Sequence, residues 1–132
     1  MAKKKPARKA PPRVWHDPKP DMVAFALALP EAWEDHPWGE TVVKVAKKVF
    51  VFFGVEGGLG DFGLCVKLPD SAAEVLALPN AEPAGYGLGK SGWVVVKFQR
   101  GDDVPLDDVR AWIVESYRAV APKKLLKQLD GE

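Results

Sequence analysis

Three β-rich runs stand close together in the middle of this chain: TVVKVA over 41–46, VFVFFG over 49–54 and DFGLCVKL over 61–68. The first two are joined at Ala46-Lys47-Lys48, and a glycine cluster over 54–60 joins the second to the third. Links of this length suit hairpins, whereas a parallel crossover needs a dozen or more residues. The runs therefore predict antiparallel neighbours. A fourth run, Trp93–Phe98, is the clearest strand of all, and a short fifth lies near Glu82–Leu88. Pro83 has no N–H to give to a ladder and would confine that fifth strand to a sheet edge.

Helical signals flank these runs. Asp21 is placed to cap a helix over Met22–Leu29, which Pro30 ends. The following PEAWEDHPWGE reads as a loop, shaped by Pro37 and Gly39 and pinned to the body by Trp33 and Trp38. A helix over Asp70–Leu78 stops at Pro79. Pro105, Asp107 and Asp108 open a longer helix whose inward stripe is Leu106, Val109, Ile113, Tyr117 and Val120. Pro122 opens the last, with Leu125, Leu126 and Leu129 inward. The order α-β-β-β-α-β(-β)-α-α predicts an α+β two-layer sandwich, an antiparallel sheet of 4–5 strands covered by helices.

At 132 residues, 47% of them hydrophobic, the chain is one domain's worth and can bury a core without staples. Cys65 is alone, which excludes an intramolecular disulfide and a multi-cysteine zinc site. The sequence has neither a run of about 18 apolar residues nor an apolar stretch after its basic start. A cytoplasmic protein with no membrane partner is expected.

The net charge of +1 hides a division. Residues 1–20 carry seven bases against Asp17, a balance of +6, while residues 21–132 carry 12 bases against 17 acids, a balance of −5. Five of those first twenty residues are proline. The expected organisation is a basic, disordered or semi-extended arm over 1–20, with Val14 and Trp15 able to dock, and a folded domain over 21–132.

Several motifs imitate sites. Gly58, Gly60 and Gly63 match G-x-G-x-x-G, but a strand follows where a dinucleotide site needs a helix. Gly89-Lys90-Ser91 imitates the end of a P-loop and is likewise followed by a strand, although its turn could hold an anion. Glu31, Glu34, Asp35, His36 and Glu40 have ligand-like density, yet one histidine among scattered carboxylates fits solvated loop charge better than a metal site. Cys65 reads as an inert strand residue and Ser116-Tyr117 as helix packing. No catalytic residue, metal or cofactor is expected.

One pattern stands out. Lys44, Lys67 and Lys97 each sit between apolar residues of a strand, so alternation puts each on the polar side. If the strands share an orientation, these lysines line one face with Trp93 and Val95, and Lys90 lies in the preceding loop. Such a face could touch phosphates and stack a base, or its lysine stems could simply cover the sheet. Lys3, Lys4, Lys5, Arg8, Lys9 and Arg13 of the arm form a second candidate, able to follow a phosphate backbone or to act only as a solubility tail.

The succession LALPEAWEDHPWGE, VKVAKKVFVFFG, GLCVKLPDSAAEVL, GWVVVKF and ESYRAVAPKKLLKQL resembles the MmcQ/YjbR family over roughly residues 22–129. The resemblance implies a compact α+β fold similar to type III secretion chaperones and loosely to frataxin-like proteins. It also implies the family's label of a "double wing" DNA-binding domain, and it carries over no catalytic residue. The expectation is thus a non-enzymatic protein that binds DNA weakly and largely without sequence preference. The alternatives are a protein-interaction or chaperone-like module, working on another protein or as a self-dimer, and a small-ligand binder.

Overall fold

A computed structural model describes residues 15–55 and 58–131. Helix α1 (Lys19–Leu27) is followed by strand β1 (Ala32–Asp35), a 3-10 turn over Pro37–Gly39, and strands β2 (Thr41–Val45), β3 (Lys48–Gly54) and β4 (Phe62–Lys67). Then come helix α2 (Ala72–Leu76), strand β5 (Ala81–Pro83), a 3-10 turn over Leu88–Ser91, strand β6 (Trp93–Phe98) and helices α3 (Leu106–Val120) and α4 (Lys123–Gly131). The strands form one sheet in the order β1-β2-β3-β4-β6-β5, and every pairing is antiparallel. Helices pack on one side, giving the two-layer α+β sandwich expected from the sequence.

Six strands stand where 4–5 were expected. The extra strand is β1, in the stretch read as a loop, where Ala32, Trp33, Glu34 and Asp35 pair with Val45, Lys44, Val43 and Val42. A four-residue edge strand carries too little apolar alternation to be distinguished from a polar loop. At the opposite edge lies β5, three residues where Glu82–Leu88 was expected; the missing N–H of Pro83 falls on the open side, and the next amide, Ala84, still donates to the Trp93 carbonyl at 3.0 Å. Helix α1 opens at Lys19, not after Asp21; the Asp17 carboxylate accepts the Lys19 N–H at 2.9 Å. Trp15 packs half-buried against the core. Helix α2 is shorter than the predicted Asp70–Leu78, and Glu115 of α3 caps its start by accepting from the Asp70 and Ser71 N–H groups at 2.8 and 3.0 Å.

The core lies between the layers. Val43, Val45, Phe50, Val51, Leu64, Val66, Val94 and Val96 face Met22, Ala26, Val109, Ile113 and Tyr117. On α3 the buried stripe is Val109, Trp112, Ile113, Ser116 and Tyr117, while Leu106 and Val120 sit at its ends, half-buried. The β2–β3 register slips between Val43 and Lys44, which leaves Phe50 without a partner on β2. That bulge lets the consecutive Phe50 and Val51 both reach the core. The Phe50 ring meets Tyr117 edge-on at 5.2 Å, and the Tyr117 hydroxyl donates to the Pro30 carbonyl at 2.7 Å.

Candidate nucleic-acid interface

The sheet has a second face, which no helix covers among the described residues. Strand register places its occupants. Lys67 is opposite Trp93, Gly63 opposite Lys97, and Cys65 opposite both Val95 and Phe52. Phe52 is in turn opposite Val42, and Lys44 opposite Trp33. The cross-strand partners of Leu64, Val66 and Val43 belong to the core, so these intervening positions point the other way. Lys44, Lys67 and Lys97 therefore share the outer face with Trp93 and Val95, as the alternation predicted.

Aromatic rings occupy the middle of this face. Trp93 meets Phe52 edge-on with centroids 5.5 Å apart, above the Cys65 row. Trp33, at the β1 edge, donates its indole N–H to the Ala46 carbonyl at 3.0 Å and lies under the Lys44 ammonium, 5.0 Å from ring centroid to Nζ. The bond ties the indole to the β2–β3 turn and leaves Trp33 44% exposed. Trp38, expected to pin its loop, does the reverse. It is 98% exposed with φ +57°, because the 3-10 turn bends the indole out into solvent.

The lysines differ in their partners. Lys44 pairs with Asp35 at 2.8 Å, and that hydrogen bond, helped by the His36 N–H, holds the Asp35 carboxyl below the usual carboxylate range. Lys97 reaches Glu82 at 3.5 Å. Lys67 and Lys90 have no ion pair among the described residues, and Lys90 is exposed on the 3-10 turn before β6. Lys3, Lys4, Lys5, Arg8, Lys9 and Arg13 lie outside the described residues.

Other candidates take structural roles. Cys65 is buried, and burial, with Glu40 nearby, pushes its thiol up to about 12. The Ser116 hydroxyl is engaged by backbone on two sides, donating to Phe50 and accepting from Lys67. Of the acidic loop, Glu34 meets His36 at 2.9 Å while Asp35 turns to Lys44. Among the described residues no three metal-ligating side chains come together. Both glycine motifs lead into strands. A Cβ on Gly63 would lie 2.5 Å from the Leu59 carbonyl oxygen, so this glycine is required for the loop to fold onto β4. An open cleft of about 700 Å³ lies elsewhere, between the start of α1 and the β6–α3 link, bordered by Trp15, Asp17, Arg100 and Asp102. No helix of the described residues is long and apolar enough to cross a membrane.

A six-stranded antiparallel sheet with helices on one side and an aromatic, lysine-bearing face on the other defines a small α+β sandwich domain. The chain belongs to the YjbR family, whose pattern matches residues 27–119. It is similar in fold to a crystal structure of a protein from Pseudomonas syringae solved by the Northeast Structural Genomics Consortium, with a TM-score of 0.60 and 17% identity. That likeness covers 77% of this chain and 97% of the other. No curated protein matches the chain.

Phe52 and Trp33 complete the face, beyond the residues that alternation assigns to it. Phe52 lies in an apolar run where the bulge at Phe50 disturbs simple alternation, so its side could not be read. Trp33 carried a faint signal, since in AWED it stands on the opposite side from Ala32 and Glu34.

Proposed function

We propose that this chain is a non-catalytic DNA-binding domain of the YjbR family, acting weakly and largely without sequence preference. The observation that carries the reading is the placement of Lys44, Lys67 and Lys97 with Trp93 on the helix-free sheet face. Lysine ammonium groups meet phosphates without reading bases, and the indole offers a stacking surface that accepts any base. The basic residues of the first twenty would add sequence-independent phosphate contacts, each steepening the salt dependence by about 0.9 in log–log slope on duplex. A non-catalytic role is supported by the burial of Cys65 and by the backbone hydrogen bonds that engage Ser116 on two sides.

The test is fluorescence anisotropy of labelled duplex and single-stranded DNA with the full chain at reduced salt. Binding that weakens steeply with salt and does not depend on sequence is the expected result. Absence of binding at protein concentrations on the order of tens of micromolar, where non-specific binders engage, overturns the reading.

A protein-docking module is the second reading, favoured by the full exposure of Trp38 and Tyr86 on two separate loops. Exposed aromatics of this size are enriched at protein interfaces. Stoichiometric capture of a defined protein partner that is lost in Trp38→Ala and Tyr86→Ala would favour it.

A further inference from the structure

Charge around the sheet is segregated along the strand direction, Lys97 apart. Strand β2 ends at Val45, β3 begins at Lys48, β4 ends at Lys67 and β6 begins at Trp93, so all four termini lie at one end of the sheet. The links at that end hold Lys47 and Lys90. Lys44, Lys47, Lys48, Lys67 and Lys90 therefore gather at this end, with Glu31 and Asp70 as the acids in its links. At the other end, Glu40, Asp61, Asp102 and Asp103 stand in the links with Arg100. The body's net negative charge thus conceals a locally basic end.

The two tryptophans of the face stand at this same end. Register aligns Trp33 with Lys44, Lys44 with Val49, and Lys67 with Trp93. They form one broken row across five strands, interrupted where β3 and β4 part beside Phe50, with an indole at each end and two lysines between. Four inter-strand spacings of about 4.8 Å set the two backbone positions about 19 Å apart, with the Trp93 ring leaning inward onto Phe52. Nothing on the row rises as a helix or hairpin to enter a duplex groove. Base edges are thus out of reach in a duplex, whereas the π-faces of unpaired bases can lie on the row.

Resting on the DNA-binding reading, we infer that the ligand of this face is single-stranded nucleic acid, lying across the strands at the basic end. Bases stack on Trp93 and Trp33, and phosphates meet Lys67, Lys44 and Lys90. Few phosphate contacts and two stacking contacts make stacking the dominant contribution and the salt dependence shallow. With about 0.7 per neutralised phosphate on a single strand, three lysines give a log–log slope of roughly −2 from the face.

The experiment compares an oligothymidine of about ten nucleotides, within the site size of one small binding domain, with a duplex of matched length. The full chain is measured beside Trp93→Ala, Trp93→Phe, Lys67→Glu and, as a control on α4, Lys123→Glu. Loss of one stacked base corresponds to about a five- to hundred-fold drop in affinity. Trp93→Ala is expected to lose that much on the oligothymidine, Trp93→Phe to recover most of it, and Lys67→Glu to weaken it several-fold. Lys123→Glu leaves it unchanged, and the loss that Trp93→Ala causes on duplex is expected to be at least several-fold smaller than on the oligothymidine. Thermal melts confirm that each variant is folded, and Lys67→Glu carries the test if Trp93→Ala is not. Equal losses on duplex and single strand, or no loss on either, overturn the inference while leaving DNA binding standing. Absence of binding to both forms overturns the DNA-binding reading itself.

Discussion

Ser116 stands in for a missing rung of the sheet, accepting the Lys67 N–H at 2.8 Å. Strands β3 and β4 pair at Val51 with Val66 and at Phe52 with Cys65, and one step further the register would set Phe50 opposite Lys67. The strands part at the Phe50 bulge, and the Ser116 hydroxyl bridges them by donating to the Phe50 carbonyl. One fully buried hydroxyl thus ties α3 to two strands directly behind Lys67.

Ser116→Ala removes both bonds and leaves a buried amide and carbonyl unsatisfied. Each unsatisfied group costs about 1–3 kcal/mol, so a loss of about 2–4 kcal/mol is expected after partial relaxation. Urea denaturation of the variant against the parent measures it, and an unchanged midpoint would show that the bridge is not a structural rung.

Cys65 makes stability fall at alkaline pH. Its thiol ionises near 9.0 when exposed and is pushed up to about 12 in the fold, so the folded state holds the proton longer than the unfolded one. The contribution is complete below about pH 9 and is lost as pH rises toward 12, by about 4 kcal/mol at most. Tyr117, raised by burial and by Glu31, acts in the same direction above pH 10. Cys65→Ala is expected to flatten the decline of urea midpoint between pH 9 and 11. In the native parent near pH 8, a chromogenic disulfide reagent should react only after denaturant is added.

Asp35 holds one of the face's cations. Its carboxyl is lowered by the Lys44 hydrogen bond and stays ionised until the pH falls below the ordinary carboxylate value, so the pair is intact at neutral pH. Asp35→Asn frees the ammonium, and single-strand affinity is expected to rise about two- to five-fold at low salt and less at high salt. Anisotropy titrations at two ionic strengths check both statements.

Ala46 occupies the β2–β3 turn with φ +55°, where a Cβ is strained. Ala46→Gly relieves that strain, and a gain of about 1 kcal/mol is expected by thermal or urea unfolding. Gly63→Ala should do the opposite, losing about 1–3 kcal/mol by over-packing, because its new methyl meets the Leu59 carbonyl and side chain.

Local sequence alone determined much of this protein. Hairpin-length links forced antiparallel neighbours, period-two alternation assigned Lys44, Lys67 and Lys97 to the polar side of their strands, and Pro83 marked an edge. The long family-like succession of segments pointed to the YjbR fold. Other features belong to the tertiary structure, because they depend on residues distant in sequence. Whether the three lysines share a face depends on register carried from β2 to β6, with Lys44 and Lys97 53 residues apart. The edge strand containing Trp33 exists only because Val42–Val45 offers it a ladder, and its own four residues are too few to show a period. Ser116 reads as helix packing until the Phe50 bulge opens a gap for it 66 residues away. Trp38 shows the converse: an indole expected to anchor its loop is turned outward by a backbone conformation that composition does not encode. Hydrophobic pattern fixes which side of an element is apolar; only the assembled sheet decides which polar sides meet, and the basic aromatic row is made of such meetings.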